Sequence, residues 1–186
     1  MSDTFRLTLA QLNATVGALE DNAAKARDAW AVAKAAGADM VAFPEMFITG
    51  YQLQDLVRKS AFAMDVHRVL QDLAADCADG PAIGIGGPWP GPDKPFNAYF
   101  ILQGGKITAQ VLKQHLPNYN VFDEKRYYHA GTPQGPVSVG PLRIGVPICE
   151  DGWFEDISET LAESGAEILL MPNGSPYHRG KMNIRQ

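Results

Sequence analysis

The chain is poor in cysteine: 186 residues carry only Cys77 and Cys149. Two are too few for a disulfide framework, and neither stands in a CxxC spacing. The four histidines, His67, His115, His129 and His178, are scattered without an HxxxH spacing, so no metal site is expected. Positive charge is also scarce. Lys and Arg number 16 against 21 Asp and Glu, the formal net charge is −5, and no basic run or stripe occurs, which argues against a nucleic-acid partner. No apolar run reaches membrane-spanning length, so no membrane partner is expected. Met1-Ser2-Asp3-Thr4-Phe5 runs into a strand without a signal-peptide pattern, and the expected location is cytoplasmic.

What remains is ordinary for a globular chain: 46% apolar and 20% charged residues, in a length that suits one domain with a sizeable core. The hydropathy pattern predicts a strand over 5–12 and a helix over 22–36, with Gly37 as its C-terminal cap. A second strand over 40–43 is uninterruptedly apolar, which suggests burial on both faces. Helical stretches follow near 53–60 and 65–78, the latter carrying Cys77 as a small semi-buried hydrophobe. The third strand, 82–87, is rich in glycine, where backbone can approach something closely. Residues 97–103 and 106–112 read as a hairpin through Gly104-Gly105, and 137–139 with 142–148 as a second through Gly140-Pro141. Between them, 113–136 is a long stretch of Pro, Asn, Tyr and charge, of a length that is often functional. A helix near 156–164 and a strand over 167–171 follow, and the tail from Pro172 reads as a loop entering a helix. Helix crossovers and hairpins in one chain fit a layered α/β fold with mixed strands.

Three residues with complementary chemistry lie at or just beyond the C-terminal ends of predicted strands: Glu45, Lys113 and Cys149. Ligand sites in open α/β sheets collect at such ends. A thiol needs help to ionise, a partly buried carboxylate can exchange protons near neutrality, and an ammonium can neutralise a tetrahedral oxyanion. Together they suit acyl transfer from an amide. Each has a plain structural alternative: Cys149 as inert packing, Pro44-Glu45 as a surface turn, Lys113 as a solvated strand-end charge.

Phe43-Pro44-Glu45, Lys113 with Leu116-Pro117-Asn118-Tyr119, and Pro147-Ile148-Cys149-Glu150-Asp151 together resemble the nitrilase superfamily of carbon–nitrogen hydrolases. Within it, the stretch from Leu116 to Tyr128 and Pro172-Asn173-Gly174-Ser175-Pro176-Tyr177 are similar to the glutaminase branch found in glutamine-dependent NAD synthetases. The resemblance runs from Leu7 to the end of the chain. It implies an α-β-β-α sandwich, incomplete at the C-terminus, and a homo-oligomer, dimer or higher. It also implies a triad carried over to Glu45 as general base, Lys113 as oxyanion support and Cys149 as nucleophile, with L-glutamine as substrate.

The same branch implies that Tyr119, Ser175 and Lys181 hold glutamine, that Phe122 and Trp153 wall its pocket, and that Glu150 positions Lys113 or the substrate. Asn120 stands where the branch often has glycine, and asparagine tolerates a left-handed turn. Residues 1–186 would then be a partial glutaminase domain that uses no cofactor. ATP and Mg are expected only for an ATP-dependent synthetase domain, which would use the ammonia to amidate nicotinic acid adenine dinucleotide and which nothing in this sequence resembles. Two other readings stand beside this one: a stand-alone amidase acting on another small amide, and a non-catalytic domain that scaffolds an oligomer.

Overall fold

The structure, a computed structural model, describes residues 4–176 and residue 179. It contains two sheets. The first runs β1 (Leu7–Leu9), β2 (Met40–Ala42), β3 (Ala82–Trp89), β4 (Phe96–Gln103), β5 (Lys106–Leu112) in spatial order. The first three strands are parallel and the last two antiparallel to their neighbours. Two antiparallel steps restore direction, so β2 and β5 point the same way. The second sheet pairs β6 (Val137–Val139) antiparallel with β7 (Leu142–Gly145), and β7 parallel with β8 (Ile168–Leu169).

Side-chain alternation assigns the layers. From β2 and β4, Val41, Ala98, Phe100 and Leu102 face α1 (Leu19–Ala35) and α2 (Ser60–Asp76), meeting Ala23, Ala26, Trp30, Val66, Val69 and Leu73. From the same strands, Met40, Ala42, Tyr99 and Ile101 face the second sheet, where Val139, Ile144, Val146 and Ile148 await them. On the far side of that sheet, α4 (Glu155–Glu163) buries Ile157 and Leu161. Gly145 makes room for it, since a Cβ there would stand 3.2 Å from that of Leu161. The order is therefore helix, sheet, sheet, helix, an α-β-β-α sandwich. Both faces of β2 are buried, as its unbroken apolar run suggests.

Element boundaries differ from the sequence pattern for local reasons. Helix α1 starts at Leu19, three residues early, because Asn22 is an anchor inside it: its side chain bonds the backbone of Thr15 and Ile48. It ends as expected, with Gly37 left-handed at φ 68°. Helix α2 starts at Ser60 rather than 65, and 54–58 is a 3-10 turn. Strand β7 stops at Gly145, two residues before Pro147, which has no N–H for a ladder. The long stretch 113–136 is irregular except for the single-turn α3 (Glu124–Tyr127). Of the tail, 172–176 is without regular structure, and its expected helix lies outside the described residues.

Glycine in β3 does what its frequency suggests. A Cβ on Gly86 would collide with the backbone N of Met46 and lie 2.7 Å from the carbonyl carbon of Glu45. The segment after β2 can therefore rest directly on β3, tied by Ile48 N–H to Gly86 O at 3.0 Å. Gly86→Ala should lower unfolding stability by about 1–3 kcal/mol through overpacking, measured by urea titration; an unchanged midpoint would show that this contact does not constrain the segment.

Candidate active site

Glu45, Lys113 and Cys149 each lie beyond the C-terminal end of a strand. Glu45 follows β2 through Pro44, and Met46 after it adopts φ 53°, turning the chain back over β3. Lys113 directly follows β5; its N–H bonds Asn97 O at 2.8 Å and its carbonyl accepts Gly131 N–H at 2.7 Å. Cys149 opens a 3-10 turn over Cys149–Trp153 with φ 49°, and its N–H bonds Pro172 O at 3.0 Å. A left-handed residue thus opens the turn, held by the chain just beyond β8.

The three side chains converge and are buried, Lys113 and Glu45 essentially completely and Cys149 to 5% exposure. Lys113 Nζ lies 2.7 Å from Glu45 Oε1 and 2.8 Å from Glu124 Oε2. Asn97 Nδ2 donates to both carboxylates, 2.8 Å to Glu45 Oε1 and 3.1 Å to Glu124 Oε1. Tyr51 donates its hydroxyl to Glu124 Oε1 at 2.9 Å. With Oε1 so occupied, Glu45 offers Oε2 to the other side, where it accepts Gly174 N–H at 2.8 Å. The Cys149 thiol is close enough to Glu45, Lys113 and the Gly174 N–H for all three to act on its charge.

The electrostatics follow from burial. Loss of water pushes the Cys149 thiol up to about 12, with the Glu45 charge adding to the rise and Lys113 opposing it. The resting group is a neutral thiol beside a carboxylate. Burial pulls Lys113 down, but Glu45 and Glu124 overcome it and hold its pKa above the usual lysine range, so the ammonium stays charged. Burial lifts the Glu124 carboxyl, against the pull of Lys113 and with a further push from Glu45. Chemically, the cluster combines a nucleophile, an adjacent proton acceptor and a fixed positive charge.

The remaining predicted residues are less concentrated. Tyr119 donates to both oxygens of Glu150, at 3.0 and 2.8 Å, and its ring stands edge-on to Phe122 at 5.9 Å. Burial first, and then this bond, push the Tyr119 hydroxyl up to about 12. The carboxylates on Lys113 are Glu45 and Glu124, whereas Glu150 engages Tyr119. Trp153 stands 53% exposed on the 3-10 turn, and Ser175 is half-buried after Gly174. Asn120 is left-handed at φ 54°. Lys181 lies outside the described residues. A cavity of about 450 Å³ has Gln114, His115, Leu116, Tyr128, Glu150 and Phe154 among its walls, but none of Glu45, Lys113 and Cys149.

Glu124, Asn97 and Asp151 escape the sequence reading. Glu124 hides among Asp123, Lys125 and Arg126, a run that reads as solvated charge. Asn97 carries a signal, being an amide near the start of β4 followed by the run Ala98 to Leu102. Asp151 is 1% exposed and accepts three backbone N–H groups, from Gln114 at 3.1 Å, His115 at 2.7 Å and Ile148 at 3.0 Å.

Two measurements test this electrostatic picture. Lys113→Met leaves two buried carboxylates without a cation and should cost about 3–5 kcal/mol of unfolding stability, part of it recovered in the Lys113→Met/Glu124→Gln double variant. A double variant no more stable than the single would contradict the charge accounting. Because the thiol is raised, thiolate forms only as pH climbs far above neutrality. Ultraviolet thiolate absorbance of the folded protein should show no step between about pH 6 and about pH 9; a step there that disappears in Cys149→Ala would overturn the neutral resting state.

Known proteins share this sequence pattern and fold. The carbon-nitrogen hydrolase family model matches residues 6–184. A glutamine-dependent NAD(+) synthetase of Rhodobacter capsulatus is 53% identical over 186 residues, covering all of this chain and 34% of the relative. One from Thermotoga maritima is 36% identical over 184 residues, covering 98% of this chain and 32% of the relative. The chain thus spans about a third of the length of the curated relatives it matches. Glutamine-dependent NAD+ synthetase from Acinetobacter baumannii, solved with adenosine diphosphate, superposes with TM-score 0.86 at 28% identity over 97% of this chain and 34% of that one. An amidase from Nesterenkonia sp. shares the fold with TM-score 0.83 at 23% identity, over 96% of this chain and 68% of that one. With nearly its whole length matched by the family model, the chain belongs to the carbon–nitrogen hydrolase family.

Proposed function

We propose that this chain hydrolyses the side-chain amide of L-glutamine through a thioester on Cys149, as the ammonia-releasing part of a glutamine-dependent NAD synthetase. The observation that carries the reading is the convergence of a buried thiol, the Glu45 carboxylate and the Lys113 ammonium. Cys149 Sγ attacks the amide carbonyl while its proton passes to Glu45, so a thiol raised by burial is deprotonated only as the new bond forms. The tetrahedral oxyanion is held by Lys113 Nζ and the backbone N–H after Cys149. Glu45 returns the proton to the departing nitrogen, ammonia leaves, and a thioester remains. Glu45 then takes a proton from water, whose oxygen displaces the sulfur, and glutamate departs with the thiol restored.

Glutamine as the amide donor rests on the relatives' glutamine-dependent activity and on the Tyr119–Glu150 pair, which offers an anion for an α-ammonium group. Ser175 and Lys181 complete the proposed substrate contacts, with Phe122 and Trp153 as walls. No cofactor takes part in this half. In the whole protein, ATP, Mg and the dinucleotide acceptor belong to sequence beyond this chain, and the setting is cytoplasmic.

A diazoketone analogue of glutamine should add once to the folded protein, with the adduct mapped by peptide mass to Cys149 and absent from Cys149→Ala. Glutamine hydrolysis should fall by at least about 10³-fold in Cys149→Ala and by about 10²–10⁴-fold in Glu45→Gln. No adduct, an adduct on Cys77, or near-normal turnover of either variant would sink the proposal.

A further inference from the structure

The catalytic residues of the proposed reaction come from different sheets. Lys113 is bonded through its backbone to Asn97 at the start of β4, in the first sheet. Cys149 is bonded through its backbone to Pro172, just beyond β8, in the second. What lies between the sheets is apolar, with Tyr99, Ile101 and Val111 facing Val139, Ile144 and Val146. Apolar contact is non-directional and does not by itself fix how one sheet is registered on the other. Directional bonds across the gap must do so, because a misplacement of about 1 Å in a catalytic constellation can cost about 10²-fold in rate.

We propose that Asp151 is a positioning residue that sets the spacing of Lys113 and Cys149 by bonding backbone on both sides of the gap. Its Oδ2 takes the N–H of Ile148, the residue before the nucleophile, at 3.0 Å. Its Oδ1 takes the N–H groups of Gln114 and His115, the two residues after the lysine, at 3.1 and 2.7 Å. One carboxylate thus grips both flanks of the site and is itself 1% exposed. Only an acceptor-only side chain suits the place, since Asn would turn an N–H₂ toward at least one backbone N–H. The inference rests on the proposed thioester chemistry for its effect on turnover, but not for its geometry.

The same geometry indicates that the altered protein still folds. The 114–116 segment has a second tether, from the His115 ring, which stacks on Phe154 at 4.0 Å and lies 3.2 Å from the Asp156 carboxylate. That tether holds the side chain of residue 115 but does not replace the two backbone bonds that Gln114 and His115 make to Asp151.

The test compares Asp151→Asn with the unaltered protein in two assays, each normalised to folded protein by near-ultraviolet circular dichroism. In the first, kcat for glutamine should fall about 30- to 100-fold while KM stays within about threefold. The second needs no glutamine: the rate of Cys149 alkylation by iodoacetamide, followed by peptide mass across pH. The Lys113 ammonium favours the thiolate, so its displacement should slow alkylation about three- to tenfold at each pH below about 10. Asp151→Glu keeps the charge but lengthens the stem, and should show both effects in milder form; it carries the test if the Asn variant does not fold. Unchanged alkylation with kcat within threefold, or a kcat loss no greater than the loss of folded protein, overturns the role of Asp151. Absence of glutamine hydrolysis in the unaltered protein instead overturns the proposed function and leaves alkylation to decide the role of Asp151.

Discussion

The rest of the site depends on one requirement: the buried ammonium of Lys113 must have anions around it. An uncompensated charge at such depth costs several kcal/mol, and two carboxylates meet the need, Glu45 from the turn after β2 and Glu124 from the long irregular stretch after β5. The second has an architectural effect. For Glu124 to arrive, residues 117–128 must fold back over the strand ends, which they do with Glu124 N–H on Pro117 O and Tyr128 N–H on Glu124 O. An excess of negative charge then has to be managed, and Asn97 and Tyr51 supply neutral donors to do it. A stretch with almost no regular structure is thereby ordered by electrostatics more than by backbone ladders.

The same crowding decides the style of nucleophile. A cysteine paired with a cation in a polar cleft ionises easily. Here burial and the neighbouring carboxylate both favour the proton staying on sulfur, and Lys113 only partly offsets them. The reactive form is consequently not stored in the resting protein, and the carboxylate that suppresses it is also the group placed to accept the proton. That separation of resting from reacting charge guards a buried thiol against indiscriminate electrophiles.

How much of this could be read from the chain varies by residue, and the reasons are physical. Strand ends marked by local hydropathy drew attention to Glu45, Lys113 and Cys149, but each kept a plain structural alternative there, and only the resemblance singled the three out together. The close approach at Gly86 was legible because only glycine tolerates it. The layer order was legible in part, with β2 declaring its two-sided burial. Glu124 was not legible, because a charged run looks solvated until the partner ammonium is placed in space. Nor was the division of labour between Glu150 and Asp151. Adjacent acids on a tight turn point to different sides, and nothing local says which one turns inward to grip backbone and which faces Tyr119.

The left-handed backbone of Cys149, φ 49°, restricts what evolution can put at this position. Such a conformation costs an L-residue roughly 1–2 kcal/mol, and for a β-branched side chain it is a genuine outlier. Threonine, a competent nucleophile elsewhere, is therefore barred here by conformation before its chemistry is ever tried. Serine fits the backbone but would inherit a cradle shaped for sulfur. The turn that presents the thiol thus limits the shape of the side chain it can carry, and leaves the choice between sulfur and oxygen to the surroundings of that side chain.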